Sequence, residues 1–229
     1  MTTVDLTCAA MSTRIALVLF TLLAGIVLAR AALDPTTSPV MRTAPTSSPS
    51  VSPEARDVLK FWRAAGPALW FAKDAAFDAR FRERFLGAHE AAARGELEHW
   101  AASPEGALAL VILLDQFPRN AFRGTPRMYD TDALARRAAN TAFAAGYDQR
   151  IPRDLRKFFL LPFAHSEDLA DQERAVALAR HIGPEDLSHA EHHRDIVRRF
   201  GRFPHRNKIL GRETTAEERQ YLENGGYQG

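Results

Sequence analysis

Cysteine is almost absent from this sequence of 229 residues, in which Cys8 is the only example. A single thiol excludes an intrachain disulfide, and the chain after residue 8 holds no thiolate for a zinc–cysteine cluster or for nucleophilic catalysis. Several classes of enzyme and zinc-binding module are thereby excluded. The compartment stays open, because exported proteins can also lack cysteine.

Net charge is also low, at +2 from 30 Lys and Arg, 28 Asp and Glu and neutral histidines. A balance this close to zero does not by itself indicate nucleic-acid binding. The sequence also lacks a Ser-centred nucleophile elbow, a glycine-rich phosphate loop and a Rossmann fingerprint, and we predict no cofactor. What it does have is 46% hydrophobic residues, which is enough for a sizeable core.

The first 33 residues form a hydrophobic leader. Residues 15–29 carry no charge, and an Ala-Arg-Ala sequence at residues 29–31 follows the grammar of a signal-peptide cleavage site. The same stretch extended to Leu33 is a marginal membrane anchor, and a third interpretation is a miscalled start, with translation beginning near Met41. The protein is membrane-associated or exported if the leader is real, and cytoplasmic if it starts near Met41. A membrane is a partner only through this segment.

Composition changes sharply after the leader. Residues 34–53 contain five prolines and nine Ser or Thr, which is typical of an extended, unpacked linker. Ser52-Pro53-Glu54 then indicates a helix start, with a capping serine, a proline at the first helical position and an early acid. We therefore predict a disordered linker over residues 34–52 and a folded domain over residues 53–229.

The body has the periodicity of one helix after another, and no segment alternates like a strand. Ser103-Pro104-Glu105 opens a helix whose centre, LALVILL, is apolar all round and is expected to be buried. Phe117-Pro118 is expected to close that helix, because a residue before proline avoids the α region. Further starts are expected at Asp74, at Thr131 or Asp132, at Pro152 with an interruption at Pro162, at Ser166, at Ser188 and at the Thr215-x-x-Glu218 capping box.

These signals predict an all-α domain of about eight helices, each of roughly 8 to 20 residues and joined to the next by a short loop. We expect the helices to pack as antiparallel pairs in a single α-solenoid-like, tetratricopeptide-like array. No 34-residue sequence period indicates regular tetratricopeptide repeats.

Two predicted helix ends carry nearly the same polar motif, Phe-Pro-Arg-Asn at residues 117–120 and Phe-Pro-His-Arg-Asn at residues 203–207. A proline explains each helix end, whereas helix termination does not require the Arg-Asn pair. Arginine forks suit carboxylate and phosphate groups. We predict a helical binding or scaffold domain whose cleft accepts a small anion or an acidic peptide. The candidate residues are Arg119, Asn120, Arg123, His165, Asp168, Arg202, His205, Arg206 and Asn207.

A hydrolase-like or metal-assisted enzyme is the second interpretation. His165 and Asp168 share a face if their helix starts early enough, as a base with its partner or as weak metal candidates. His193 and Asp195 offer a second base and partner. The alternative for Asp168 is a helix cap that complements the positive end of the helix dipole. No paired H-x-x-x-H or E-x-x-H unit indicates a metal, so we predict no metal site.

A purely structural ion network is the third interpretation. Residues 194–212 contain seven Lys or Arg and a single acid, Asp195. Exposed aromatic residues do not alternate with these cations as they do on RNA-binding surfaces, so we do not expect nucleic acid as a partner. Buried arginines are rarely unpaired, and the acids of residues 167–173 are their expected partners.

Several long stretches resemble the bacterial family known as domain of unknown function 924. They are VLKFW, WFAKDAAFDARFRERF, EGALALVILLDQFPRNAFRGTPRMYDTDALA, FFLLPFAHSEDLADQERAVAL and HRDIVRRFGRFPHRNKILGRETTAEE. The resemblance runs from about Val58 to the C-terminus and leaves out the leader. It implies a helical fold of the tetratricopeptide-like class, and it implies no reaction, ligand or catalytic residue.

Overall fold

The computed structural model describes residues 50–229, which contain helices, turns and loops but no strand. The α-helices are α1 (Pro53–Ala65), α2 (Pro67–Trp70), α3 (Ala75–Ala93), α4 (Pro104–Val111), α5 (Phe117–Ala121), α6 (Asp132–Ala144), α7 (Lys157–Ala164), α8 (Leu169–Ala179), α9 (Pro184–Phe200) and α10 (Ala216–Glu223). Eight of them have eight residues or more, so the predicted all-α class is confirmed. The leader, the alternative start and residues 34–49 of the linker lie outside the described residues.

Shorter helical segments connect these elements. The 3₁₀ segments are Glu98–Ala102, Pro126–Tyr129, Tyr147–Arg150, Arg153–Leu155 and Pro204–Arg206, and Ile112–Gln116 is π-helical. Within residues 50–229, no helix combines the length and the hydrophobicity that a membrane span requires.

Four helix starts have the capping residues that the sequence predicts. Ser52, Asp74, Ser103 and Thr215 each accept a hydrogen bond from the backbone N–H three residues later. Glu218 completes the last of these caps, because its side chain accepts from the backbone N–H of Thr215. These local signals were sufficient to predict the helix starts, because a cap satisfies N–H groups that the helix itself leaves unpaired.

The prediction that Phe117-Pro118 ends the buried helix was wrong. The chain stays helical from α4 through the π-helical turn into α5, with Pro118 inside. The Phe117 N–H donates to the Ile112 carbonyl five residues earlier, and this wider turn accommodates a ring that clashes with a regular α-helix. Pro118 has no N–H for the Leu114 carbonyl, and the Thr131 hydroxyl donates to that oxygen at 2.6 Å instead.

Further helix boundaries differ from the sequence prediction, and α7 begins at Lys157, after a 3₁₀ turn, rather than at Pro152. The helix of α7 continues through Pro162 to Ala164 rather than stopping there. Asp168, not Ser166, caps α8, and α9 begins at Pro184 rather than at Ser188. A proline at the first helical position explains the earlier start of α9. The N–H that proline lacks would have no partner within the helix at this position.

Aromatic residues form the centre of the main core. Trp62 of α1, Phe77 and Phe81 of α3, and Phe117 and Phe158 are almost completely buried. Ring contacts of 5.1 to 5.4 Å join Phe81 to Phe117, Trp62 to Phe158 and Trp62 to Phe81. The apolar centre of α4 is also buried, as its all-round hydrophobicity predicts.

A second, smaller core joins α9 to the last part of the chain. Ile196, Val197 and Phe203 are buried there, and Tyr221 and Tyr227 pack against them. Consecutive helices from α6 to α9 pack against one another, and residues 50–229 belong to one compact unit. Such sequential packing is compatible with helix pairs in an array, and the tetratricopeptide-like arrangement stays a prediction.

Candidate functional site

Polar side chains from distant parts of the chain meet where the π-helical turn, the end of α7 and the loop after α9 approach one another. We call this group the polar cluster. Its members are Asp115, Arg119, Tyr129, Asp132, His165, His193, His205, Arg206 and Tyr227. Four of the predicted ligand residues belong to this cluster, namely Arg119, His165, His205 and Arg206.

Asp115 is the buried carboxylate at the base of the polar cluster, with no exposed surface. Gln116 Nε2 donates to its Oδ2 at 2.6 Å, and His165 Nδ1 lies 2.9 Å from its Oδ1. Arg119 Nη1 lies 3.2 Å from the same Oδ1. Burial alone raises the pKa of Asp115, but the charges of Arg119 and His165 and these hydrogen bonds hold that pKa well below its usual range.

Arg119 is fully paired inside the protein. Its Nη1 and Nη2 donate to the two carboxylate oxygens of Asp132 at 2.8 and 3.0 Å, and Nη1 also donates to the Asp115 carbonyl at 2.8 Å. Burial lowers the pKa of this guanidinium, but the nearby Asp115 and Asp132 carboxylates raise it overall. With two carboxylates in contact, Arg119 has little capacity left for an external anion, and its role as a ligand residue stays a prediction.

His165 follows the last residue of α7, and the lowered pKa of its ring favours the neutral form at pH 7. Burial lowers its pKa, Arg119 lowers it further, and the attraction of Asp115 only partly opposes them. Because the Asp115 carboxylate can only accept, His165 Nδ1 carries the proton and Nε2 carries a free lone pair. The histidine therefore offers a basic nitrogen to whatever lies on its other side.

Arg206 is the cation of the polar cluster without a carboxylate partner. Its residue is 6% exposed, and it forms no ion pair within residues 50–229. Its Nη2 donates to the His165 carbonyl at 2.9 Å, while its Nε has no hydrogen-bond partner there. The guanidinium carbon lies 4.6 Å from the Tyr129 ring centroid and 4.5 Å from that of Phe203. Burial lowers the pKa of Arg206, and the charge of Arg119 adds to this.

Two further histidines have buried nitrogen atoms without partners. His193 Nδ1 and His205 Nδ1 are both buried and unpaired within the described part of the chain. Burial lowers the pKa of each to about 3, with His165 the next cause for His193 and Arg206 the next for His205. The polar cluster thus combines one unpaired buried cation with neutral rings that can donate hydrogen bonds.

Two ion pairs hold the loop after α9 against neighbouring parts of the chain. Arg212 donates to both carboxylate oxygens of Glu167 at 2.6 and 2.9 Å, and the Phe203 N–H donates to Glu167 at 2.8 Å. Arg202 pairs with Glu218 at 2.6 Å. The predicted internal pairing between residues 194–212 and the acids of residues 167–173 is therefore confirmed for Arg212.

Several sequence candidates serve the structure elsewhere. Arg202 and Asn207 both contact the carboxylate of Glu218 at the start of α10. Arg123 pairs with Asp78 at 2.8 Å, and its Nη2 donates to the side chain of Asn120. These contacts give Asn120 and Asn207 a structural role within the folded chain.

The two predicted base–acid pairs are both wrong. The Asp168 side chain caps α8 by accepting from the N–H groups of residues 170 and 171, so His165 pairs with Asp115 instead. Asp195 is exposed and pairs with Arg194, while His193 faces the core around Phe203. His165 and Asp168 do not share a helix, because α7 ends before one and α8 begins after the other. Among residues 50–229, no group of three metal-ligating side chains could hold an ion.

Sequence reasoning missed the carboxylate that orients His165 and the two tyrosines of the polar cluster. The available signal for Asp115 was a lone acid directly after the buried run LALVILL, where an unpaired charge is costly. Nothing in the local sequence of Tyr129 or Tyr227 distinguishes them from surface tyrosines.

Comparison with known proteins gives the same family as the sequence motifs. A family profile described as bacterial protein of unknown function (DUF924) matches residues 58–226. The solved structure of a protein of unknown function from Agrobacterium tumefaciens is 60% identical, covers 75% of this chain and 98% of its own, and has a TM-score of 0.74. No curated protein matches the sequence.

Proposed function

Because the chain belongs to the bacterial DUF924 family, whose function is unknown, we propose its activity from the site alone: it is a helical binding domain whose polar cluster takes up a small anion. The observation behind this proposal is the environment of Arg206. A buried guanidinium without a carboxylate partner is costly, and an anion bound beside it would restore the missing partner.

The groups around Arg206 suit a compact oxyanion. The Nδ1 atoms of His193 and His205 need partners, and a guanidinium edge presents donors in a planar fork that matches carboxylate or phosphate. The Tyr129 ring lies against the guanidinium, with its centroid 4.6 Å from the guanidinium carbon, and contributes a cation–π contact.

A small anion fits the site better than an acidic peptide. Arg206 is 6% exposed and His193 is 8% exposed, so little surface is available to a chain of several residues. A small anion needs contact with only the few side chains around Arg206, whereas a peptide needs a longer accessible surface. An acidic peptide is the alternative ligand, and binding measurements must distinguish it from a small anion.

Isothermal titration calorimetry provides the test. We expect phosphate or acetate to bind the purified protein, and Arg206→Met to reduce affinity at least about tenfold, because a charged hydrogen bond is worth about 1.5–3 kcal/mol. Arg199→Met is the matched control, as Arg199 is exposed and pairs with Glu217. A Glu-Glu dipeptide that binds more tightly than either small anion would favour the peptide alternative. Equal affinity in wild type and Arg206→Met, or no binding by a folded protein, would overturn the proposal.

General-base catalysis is a second candidate function, favoured by the Asp115–His165 contact of 2.9 Å. The carboxylate fixes the tautomer that leaves His165 Nε2 unprotonated, which is the form needed to take a proton from water. Hydrolysis of 4-nitrophenyl phosphate and 4-nitrophenyl acetate tests it. His165→Gln should lower the rate by about 100-fold or more. The exposed His99→Gln is the control, and equal rates in all three proteins would exclude this role.

A further inference from the structure

We infer that the segment after α10, residues 225–229, is a movable cover over the anion site, and that Tyr227 is the residue that closes it. The inference rests on the proposed function, since it concerns how an anion reaches Arg206.

The Tyr227 ring lies over the histidines of the polar cluster. Its centroid is 4.8 Å from that of His193, 5.1 Å from that of His205 and 5.8 Å from that of His192, with the rings nearly perpendicular in each case. The ring is also 6.4 Å from Phe203, the residue whose ring contacts the Arg206 guanidinium. One side chain thus covers both histidines that have unpaired buried nitrogens.

The backbone of the same segment continues over His205. A methyl group built on Gly229 would lie 2.9 Å from His205 Cδ2 and 3.0 Å from its Nε2, so the chain passes directly against the ring. Burial raises the pKa of Tyr227, and the charges of Arg206 and Arg119 only partly oppose this. The segment therefore packs against the histidines of the polar cluster.

Few interactions hold this cover in place. The N–H of Gly226 donates to the Tyr221 carbonyl, and the N–H of Tyr227 donates to the Tyr221 hydroxyl, each at 2.9 Å. Gln228 donates to the backbone carbonyl of Leu222 at 3.2 Å. No ion pair ties residues 225–229 to the rest of the described chain. A segment held by a few hydrogen bonds and ring contacts opens at much lower free energy than a core helix does.

Space for this opening lies beside the cover. Tyr227 borders a groove of about 690 Å³, together with His192, Arg199, Tyr221 and the backbone of Gly225. The groove provides free volume next to the ring in its closed position. Gly225 has a φ of 81°, a left-handed conformation that favours glycine, and it stands where the chain turns away from α10.

Gly226 is the position at which the cover can be displaced without touching the anion site. A methyl group added there would lie 2.5 Å from the Tyr221 carbonyl oxygen and 2.6 Å from the Tyr221 ring. Real Cβ atoms do not approach so closely, so Gly226→Ala must lift the segment off Tyr221. The helix of α10 ends three residues earlier and keeps its capping box.

The test measures access to the histidines directly. Full-length wild type, Tyr227→Ala and Gly226→Ala are treated with diethyl pyrocarbonate, and peptide mass spectrometry gives the modification rates of His193 and His205. We expect both modification rates to rise at least about tenfold in the two variants, because release of the locally held segment exposes both histidine rings. Modification of the exposed His99 is the internal control and should not change. Equal rates at His193 and His205 in all three proteins would overturn the inference.

Anion exchange gives the functional readout. Phosphorus-31 NMR line widths of inorganic phosphate should show faster exchange with Tyr227→Ala than with wild type, whereas Tyr227→Phe, which keeps the ring, should exchange like wild type. Exchange as slow in Tyr227→Ala as in wild type would contradict the cover. If phosphate binds none of the proteins, the proposed function fails, while the histidine modification rates still decide whether the segment is a cover.

Discussion

His165 Nδ1 and Asp115 Oδ1 lie 2.9 Å apart, although 50 residues separate them in the sequence and Asp115 has no exposed surface. This contact ties the end of α7 to the π-helical turn and sets the tautomer of the histidine. It also places the backbone of His165 where the Arg206 side chain can donate to it. The arrangement of the polar cluster therefore depends on one buried carboxylate.

We expect Asp115→Asn to destabilise the protein by about 3–5 kcal/mol, the usual cost of removing one partner of a buried ion pair. Asparagine keeps the shape of the side chain but leaves Arg119 and His165 facing a neutral amide. Urea unfolding monitored by circular dichroism measures the change. The exposed Asp195→Asn should change the free energy of unfolding by less than about 1 kcal/mol. Similar values for the two variants would show that the buried contact is not needed for stability.

Acidification should destabilise the protein well before its carboxylates titrate. His193 and His205 have pKa values of about 3 in the folded protein and an ordinary value of 6.5. Between those values the unfolded chain binds more protons than the native state, so stability is complete above pH 6.5 and is lost as the pH falls toward 3. Each histidine contributes a slope of up to about 1.4 kcal/mol per pH unit within this window.

Urea unfolding at pH 7, 6 and 5 measures that slope. His193→Phe should reduce it by up to about 1.4 kcal/mol per pH unit, because a phenyl ring takes up no proton. His99→Phe is the control, as His99 is exposed and should leave the slope unchanged. A slope in His193→Phe equal to that of the wild type would mean that folding does not lower the pKa of this ring.

Glu218 should matter far more than its neighbour Glu217. It is 2% exposed, completes the capping box of α10, pairs with Arg202 at 2.6 Å and accepts from Asn207. We expect Glu218→Gln to cost about 2–4 kcal/mol and to loosen α10 first, since Arg202 loses its carboxylate partner. Hydrogen exchange of the α10 amides measures this. Glu217→Gln removes only an exposed pair with Arg199 and should cost less than about 1 kcal/mol.

Replacing either of two helical glycines with alanine should change the stability of the protein, but in opposite directions. In α4, a methyl group on Gly106 would lie 2.2 Å from the Trp100 carbonyl oxygen, so Gly106→Ala forces the backbone apart and should cost about 1–3 kcal/mol. In α3, Gly87 has no atom within 4 Å of an added methyl group. Gly87→Ala should therefore stabilise the protein by about 0.5–1 kcal/mol. Thermal unfolding of both variants gives the signs, and a gain in Gly106→Ala would show that the contact relaxes freely.

Helix starts could be predicted from the sequence where the side chain of the N-cap residue accepts a hydrogen bond from the first turn of its own helix. Ser52, Asp74, Ser103 and the Thr215–Glu218 box all bond to N–H groups three residues away, so no distant part of the fold is needed. Local rules failed at Phe117-Pro118. The clash that should end the helix is relieved by a π-helical turn, and the Thr131 hydroxyl takes over the carbonyl that proline leaves unpaired.

The sequence by itself determined the all-α class, the buried helix α4 and the presence of an Arg-rich, His-containing region, because periodicity, capping and composition are local properties. Only the tertiary structure decided which charges meet. In the folded protein Arg119 forms ion pairs with Asp132 and Asp115, whereas Arg206 has no carboxylate partner. Pairing depends on distances between segments tens of residues apart, and those distances are set by how helices pack rather than by any sequence spacing.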